Sequence, residues 1–311
     1  MYNFRTDLAV ERREIYKKAN KIQDEVPGIE TEESKISDKI KVIRVKVATE
    51  EGAQAIGKPI GNYITIDVKK LRNIPDEEME KISKTISEEL TALVDKHVNK
   101  EDEVLVVGLG NLYSTPDSLG SKVVQNIEIT RHIKKYLPQY IDENARGISA
   151  ISPGVLGTTG METQEILQGI VQNTKPKLIV VIDSLASKSI ERISSTIQIA
   201  DTGIIPGAGV DNARKELTEN TLGVPVIAIG IPTVVEAATL AADSLDILIQ
   251  KLQDDANSNE YLNKLQEEDK YELIREALMP NNYNFIVTPK EIDELIENMT
   301  KVVAEGINMS L

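Results

Sequence analysis

Two aspartates of this chain stand where their carboxyl groups could do acid–base chemistry. Asp183 comes directly after the apolar run Leu178–Ile182, and Asp117 follows Thr115 and Pro116 in a polar loop. An unpaired, charged carboxylate at the end of a buried strand costs free energy, so packing alone gives no reason for an aspartate there. When two carboxyl groups lie close together their pKa values are pushed apart, so one can activate water while the other donates a proton. We therefore predict that both aspartates are catalytic, without assigning the acid and the base.

Each aspartate also has a purely structural interpretation. Thr115 could cap a helix that runs through His132, with Pro116 in the first turn and Asp117 facing the positive end of the helix dipole. Asp183 could cap or brace the loop after its strand. In the catalytic interpretation, the same helix dipole is expected to keep Asp117 ionised.

Four further residues are candidates for substrate binding or support at this site. Asn111 and the N–H groups of nearby glycine-rich loops could stabilise an oxyanion. Glu162 and Asp201 accompany two such loops, although an aspartate at a turn is more often a hydrogen-bond acceptor. His132 could act in catalysis, although a histidine near a helix end is more often structural.

The composition excludes several other kinds of site. The chain has no cysteine and only two histidines, which rules out thiolate nucleophiles, disulfides and cysteine-ligated metals. No nucleophile elbow or Walker phosphate loop is present. Gly108 and Gly110 follow a strand as in a dinucleotide loop, but Tyr113 stands where a third glycine is needed. We expect no cofactor and no bound metal.

The elements that must position the aspartates follow from the apolar pattern. Val104–Val107, Leu178–Ile182 and Val224–Ile229 are continuous apolar runs separated by helical patterns, which indicates parallel strands buried on both faces. We predict an α/β fold with a mostly parallel sheet flanked by helices. Ligands bind at the carboxyl ends of the strands in such sheets, where both aspartates are expected.

The flanking regions are predicted to decorate this core. Alternation at Val42–Val47 and Tyr63–Val68 predicts half-buried strands that make the N-terminal region β-rich, and helical spacing predicts a helix from Pro75 to His97. Two C-terminal helices are expected, near Tyr261–Leu278 and from a capping box at Thr288. We expect one domain, with N-terminal elements in 1–102, the core in 103–252 and C-terminal helices in 253–311.

Charge and hydropathy limit the partners. A formal net charge of −14 repels polyanions, so no direct nucleic-acid binding is expected. No stretch approaches the roughly 18 to 20 apolar residues that span a bilayer, and the charged N-terminus lacks the apolar region of a signal peptide. We predict a soluble cytoplasmic protein without a membrane partner.

Taken together, the candidate segments resemble the germination protease family. The matching segments are, in chain order, Arg5–Ala9, Gly108–Asn111, Thr115–Asp117, Leu119–Gly120, Thr130–His132, Ser152–Gly154, Thr159–Gly160, Glu162–Thr163, Ile182–Ala186, Thr196–Gln198, Asp201–Gly203, Pro206–Gly207 and Val287–Pro289. They run through nearly the whole chain, which makes the resemblance more specific than a single glycine loop.

The resemblance implies an endopeptidase that degrades small acid-soluble spore proteins at acidic-residue sites during germination. It implies an α/β core akin to hydrogenase maturation peptidases, and it places the two catalytic aspartates of the family at Asp117 and Asp183. It also implies a homo-oligomeric zymogen of the spore core that removes an N-terminal propeptide. Only Met1–Phe4 precede Arg5, so a minimal or missing propeptide is expected here.

Other interpretations stay open at this point. A carboxylate-bound metal would make the chain a maturation-type peptidase. Val107–Asn111 and Thr130–His132 are similar to segments of peptidyl-tRNA hydrolase, which would imply an esterase. An acidic α/β module that binds a protein without cutting it is the non-enzymatic alternative. Within the peptidase interpretation, Arg192, Lys188 or Arg214 could receive a glutamate beside the cut bond.

Overall fold

The computed structural model describes residues 6–68, 74–142, 145–210, 212–254 and 285–311. Within these ranges nine strands form one sheet, in the order β1-β2-β3-β7-β8-β6-β4-β5, and β9 pairs with the end of β8. The strands are β1 (Ile29–Lys35), β2 (Ile40–Val47), β3 (Gly61–Val68), β4 (Glu103–Gly108), β5 (Gly147–Ile151), β6 (Leu178–Ser187), β7 (Thr196–Ala200), β8 (Val226–Glu236) and β9 (Ile286–Val287).

The sheet combines a parallel and an antiparallel part. Strands β8, β6, β4 and β5 are parallel neighbours, and the continuous apolar runs of β4, β6 and β8 are buried on both faces. Strands β1, β2, β3 and β7 join by antiparallel pairing, with β7 beside β8. The predicted α/β class, the parallel core and the N-terminal β-rich extension are confirmed.

Helices cover both faces of the sheet. They are α1 (Ala9–Ala19), α2 (Glu50–Ile56), α3 (Asp76–Val94), α4 (Leu119–Val124), α5 (Arg131–Tyr136), α6 (Leu156–Thr159), α7 (Thr163–Thr174), α8 (Glu219–Leu222), α9 (Ala237–Asp254) and α10 (Ile292–Ser310). The longest apolar stripes belong to α3 and α10, which pack against each other and bury Ile86, Leu90, Ile296 and Val303. No helix in the described ranges is long and apolar enough to cross a membrane.

The helix predicted from Thr115 to His132 is wrong as a continuous element. The structure has a 3-10 turn at Thr115–Asp117, then α4, and then α5 from Arg131. Between the two helices, Thr130 donates its N–H to the carbonyl of Ile148, the second residue of β5. Tertiary pairing with the edge of the sheet thus replaces the local helical hydrogen bonds.

The predicted C-terminal capping box is also wrong. Helix α10 begins at Ile292, and Thr288 Oγ1 donates to the carbonyl of Thr233 at 2.9 Å instead of capping the helix. The segment 285–288 is therefore tied to strand β8 before the helix starts. The helix predicted at 261–278 lies outside the described residues.

Candidate active site

Asp183 lies where β6 runs past the end of β4. The last hydrogen bond between the two strands is donated by the N–H of Leu109 to the carbonyl of Ile182. Asp183 follows with only 5 % of its surface exposed, and its Oδ1 accepts the N–H of Ser184 at 2.9 Å. Burial raises the pKa of Asp183 well above its usual 3.8, and the charges of Asp117 and Asp7 raise it further. This carboxyl group therefore favours its protonated form.

Asp117 is brought near Asp183 by the loop that follows β4, close enough for its charge to raise the pKa of Asp183. Its Oδ2 accepts the N–H of Asn111 at 2.9 Å. Gly110 makes this approach possible, because it has a φ of +98° and an added Cβ would lie 2.0 Å from the carbonyl oxygen of Asp117. The glycine loop therefore packs directly against the 3-10 turn that carries Asp117.

The prediction that a helix dipole keeps Asp117 ionised is wrong. The residue belongs to a turn of three residues, which has no helix dipole of useful size, and it is half-buried. Burial raises the pKa of Asp117, and the hydrogen bond from Asn111 partly opposes this shift. Of the two aspartates, Asp183 experiences the larger rise, because it is more deeply buried and also senses Asp117.

Asp7 is a third carboxylate near Asp183, and sequence reasoning missed its role. Its N–H donates to the carbonyl of Ala186 at 3.0 Å, and its Oδ2 accepts the N–H of Ala186 at 2.9 Å. Burial raises the pKa of Asp7, whereas Lys58, the N–H group of Ala186, the charge of Arg12 and the N–H group of Gly209 lower it. Asp7 was part of the matching segment Arg5–Ala9, which was the available signal.

Lys58 is the second residue that the sequence did not single out. It lies in the loop between α2 and β3, and its Nζ donates to the carbonyl oxygen of Asp7 at 2.7 Å. Burial lowers the pKa of Lys58, and the charge of Asp7 opposes this shift. No recognisable sequence pattern surrounds Lys58, which stands between Gly57 and Pro59. Only the fold brings it next to Asp7.

Two of the four supporting candidates lie at the same edge of the sheet. Asn111 orients Asp117 through its backbone N–H, while its side-chain Oδ1 accepts the N–H of Tyr113 at 3.0 Å. Glu162 precedes α7 in the loop region that follows the carboxyl end of β5 and is half-buried. Asn111 is thus a positioning residue for Asp117.

Asp201 belongs to a different part of the structure. Its Oδ1 accepts the N–H of Asn62 at 2.7 Å, and its Oδ2 accepts the side-chain amide of Asn62 at 2.5 Å. These bonds join the end of β7 to the start of β3. Since both oxygens are engaged, Asp201 braces a turn, which is the structural alternative already considered.

His132 lies at the opposite edge of the parallel strands. The preceding Thr130 accepts the N–H of Ile148 near the start of β5, and Arg131 pairs with Glu103, the first residue of β4. His132 is itself exposed on α5. The amino ends of β4 and β5 therefore separate it from the aspartates at their carboxyl ends.

Two of the three cations suggested for substrate binding have acidic neighbours in the structure, and their role stays a prediction. Arg192 is 2.9 Å from Asp67 and 3.4 Å from Glu14, and Lys188 Nζ is 3.7 Å from Asp243. Arg214 is exposed. In the described ranges, no group of three or more histidine, aspartate or glutamate side chains is arranged to hold a metal ion.

Comparison with known proteins identifies relatives over the full chain. The family profile described as germination protease matches residues 7–264 and 253–311. A germination protease of Clostridium acetobutylicum is 48% identical, over 100% of this chain and 96% of that protein. One from Clostridium perfringens is 46% identical over the same shares, and one from a Geobacillus species is 41% identical over 100% and 94%.

A solved structure gives a partial match. The [NiFe] hydrogenase maturation protease HycI from Thermococcus kodakarensis is 17% identical, with a TM-score of 0.28 over 45% of this chain and 80% of that protein. A likeness this partial supports no conclusion about activity.

Proposed function

The chain belongs to the germination protease family, and we propose that it is an endopeptidase that cuts small acid-soluble spore proteins by means of Asp117 and Asp183. The observation that carries the proposal is the environment of Asp183. Burial, two neighbouring carboxylates and one N–H influence its pKa, and no cation of the described residues is among these influences. A carboxyl group left in this state is typical of catalytic pairs.

The unequal environments suggest the roles of the two groups. Asp183 is the more strongly buried and holds the proton, so it is the acid. Asp117 is half-buried and is oriented through one oxygen by the N–H of Asn111, so it is the base. The pair would thus enter the reaction with one proton between them, as close carboxyl groups do.

The proposed reaction balances with water as the only co-substrate. Asp117 takes a proton from water as the water oxygen bonds to the peptide carbonyl carbon, and Asp183 gives its proton to the carbonyl oxygen. When the C–N bond breaks, the leaving nitrogen takes the proton from Asp117. As the C–N bond breaks, a hydroxyl of the diol intermediate gives its proton to Asp183, which restores the starting protonation of both aspartates.

The finer features of the proposal rest on the family. Membership is our reason to propose a homo-oligomeric zymogen in the spore core and cleavage beside acidic residues. Light scattering of the purified full chain would test the oligomer. N-terminal sequencing of the digestion products would test the cleavage site.

The decisive experiment compares wild type with Asp117→Asn and Asp183→Asn on purified spore proteins. Each variant is expected to lose at least about 1000-fold in kcat, because removing one member of a catalytic unit disables the other. Asp201→Asn is the matched control, since this aspartate also follows a buried strand but braces a turn. Folded aspartate variants that digest spore proteins at the wild-type rate would disprove the mechanism.

The same assay separates the alternatives. Loss of wild-type activity with a chelator, restored by a divalent metal, would favour the metal-dependent peptidase. Release of peptide from peptidyl-tRNA without proteolysis would favour the esterase. Binding of spore proteins without any new fragment would favour the non-catalytic module.

A further inference from the structure

The sheet ends at β5, and one part of this edge strand is open. Within the described ranges, β4 is the only strand beside β5. The N–H of Ile148 donates to Thr130 Oγ1 at 2.8 Å, and the carbonyl of Ile148 accepts the N–H of Thr130 at 3.1 Å. The main chain of Ile148 therefore faces away from β4, and Thr130 covers it.

Ala150 is the open position of this edge. Main-chain groups of alternate residues in a strand face the same side, so the N–H and the carbonyl of Ala150 also face away from β4. In the described part of the chain, nothing bonds to them on that side. Unpaired N–H and C=O groups at a sheet edge are a template for pairing with another polypeptide.

The open position leads to the two aspartates. Since β5 runs parallel to β4, Ala150 lies toward the carboxyl ends of the strands, where Asp117 and Asp183 are. The residue that follows β5 is Ser152, whose Oγ lies 2.7 Å from the Oγ of Ser121 in α4. Helix α4 comes directly after the turn of Asp117. The end of the open edge is thus joined to the element that carries Asp117.

The spacing of strands sets where a bound polypeptide would lie relative to the cut bond. Neighbouring strands are about 4.8 Å apart, so a strand added to β5 would lie about 10 Å from β4 and about 14 Å from β6. An extended chain covers about 3.3 Å per residue, so about three or four residues connect the added strand to the aspartates. Antiparallel pairing is the commoner kind, and a chain antiparallel to β5 runs away from the aspartates. The added strand would therefore follow the cut bond in the substrate.

We propose that the outer edge of β5 at Ala150 binds the substrate polypeptide as an added antiparallel strand, about four residues after the cut bond. The ligand is recognised here by its backbone, so its side chains at this position are free to vary. The inference rests on the proposed peptidase function. Tyr113 and Met161, in the loops after β4 and β5, are 90% and 50% exposed and are available to contact the same extended segment.

The test removes single N–H groups from the substrate. Peptides that span a cut site of a spore protein carry one N-methyl group, at each successive residue after the cut bond. At the residue that pairs with Ala150, the N-methyl group should raise KM by roughly 2- to 12-fold and leave kcat unchanged, because one hydrogen bond is lost far from the reacting atoms. At the two neighbouring residues the change should stay below about twofold. Equal effects at successive residues, or alternation only before the cut bond, would overturn the inference.

Ala150→Pro removes the outward N–H from the protein side. Proline is tolerated at an edge position whose N–H faces outward, and the variant should raise KM by the same factor with kcat unchanged. Glu33→Pro is the matched control at the other edge of the sheet. The N–H of Ile36 donates to Ile40, so alternation turns the N–H of Glu33 outward from β1, and this variant should change neither constant. If Ala150→Pro does not fold, the N-methyl series on wild type decides alone.

Hydrogen exchange separates this inference from the proposed function. The Asp183→Asn chain is mixed with a whole spore protein, and exchange is followed in the segment 147–152. Slower exchange on binding supports the added strand even if wild type cuts no spore protein. Cleavage by wild type without slower exchange would leave the peptidase standing and overturn the role of β5. Exchange that is slow without substrate and becomes faster on dilution would show that a second copy covers the edge, which would also overturn the inference.

Discussion

Two regions of this molecule place an aspartate directly after a run of buried strand residues, and the two aspartates have opposite electrostatic surroundings. Asp201 follows β7, and both of its oxygens accept hydrogen bonds from Asn62. Asp183 accepts one N–H, from Ser184, and lies near the carboxylates of Asp117 and Asp7. A carboxylate whose hydrogen bonds are satisfied supports the fold, whereas one left beside like charges is poised to exchange a proton.

Apart from replacement of either aspartate, the largest expected effect comes from disturbing the loop that positions Asp117. Gly110→Ala should lower kcat by about 100-fold, because the new Cβ would push Asp117 away from its productive position. The clash would be with the carbonyl oxygen of Asp117, at 2.0 Å. Kinetics on spore proteins measure the effect.

Gly223→Ala is the matched control for this substitution. Gly223 has a φ of +73°, and an added Cβ there would meet no atom within 4 Å. It should cost stability of about 1 kcal/mol, from backbone strain alone, while kcat stays unchanged. Equal kcat values for the two variants would contradict the positioning role of Gly110.

The next effect is a difference in stability between the two aspartates. Asp201→Ala should destabilise the fold by about 2 kcal/mol, because hydrogen bonds to a charged acceptor are lost. Asp183→Asn should instead stabilise it by an amount on the order of 1 kcal/mol at neutral pH, because an under-compensated buried acid is removed. Urea unfolding of both variants and wild type measures these differences.

The pH dependence gives the sign of the Asp183 effect. Its folded-state pKa is raised, so the folded chain binds the proton more tightly than the unfolded chain does. Wild-type stability should therefore fall as the pH rises from the unfolded value near 3.8 through the raised value. The advantage of Asp183→Asn should grow over that window and vanish below it. An advantage that is constant with pH would contradict the raised pKa.

The smallest effect is expected at the opposite edge of the sheet. His132→Ala should change kcat/KM by less than about twofold, as an exposed surface substitution does. The residue lies exposed on α5, at the amino ends of β4 and β5. Spore-protein digestion at several pH values checks this. A shifted pH profile would contradict this expectation and support a catalytic role for His132.

The parallel core was predictable because its signal is local. Continuous apolar runs marked β4, β6 and β8, and Asp183 was singled out because it directly follows one of them. The ends of the helices were less predictable from the sequence. The helix expected through His132 is broken because Thr130 pairs with Ile148, a contact that no local pattern reveals.

The site was only partly predictable for the same reason. Asp117 and Asp183 each follow a recognisable segment, whereas Asp7 and Lys58 come from remote parts of the chain and meet beside Ala186 only in the fold. Spacing also did not reveal the partners of the cations, since Arg192 pairs with Asp67 and Lys188 approaches Asp243 in the structure. Charge pairing depends on distances that spacing along the chain does not set.

By itself the sequence determined the α/β class, the family resemblance and the two aspartates at the ends of their segments. Only the tertiary structure decided that β6 outruns β4 and that Asp7 and Lys58 occupy the gap. The physical reason is that hydropathy and propensity act between near neighbours in the chain. Burial and electrostatic coupling, which set the proton affinity of Asp183, depend on whichever residues the fold brings within reach.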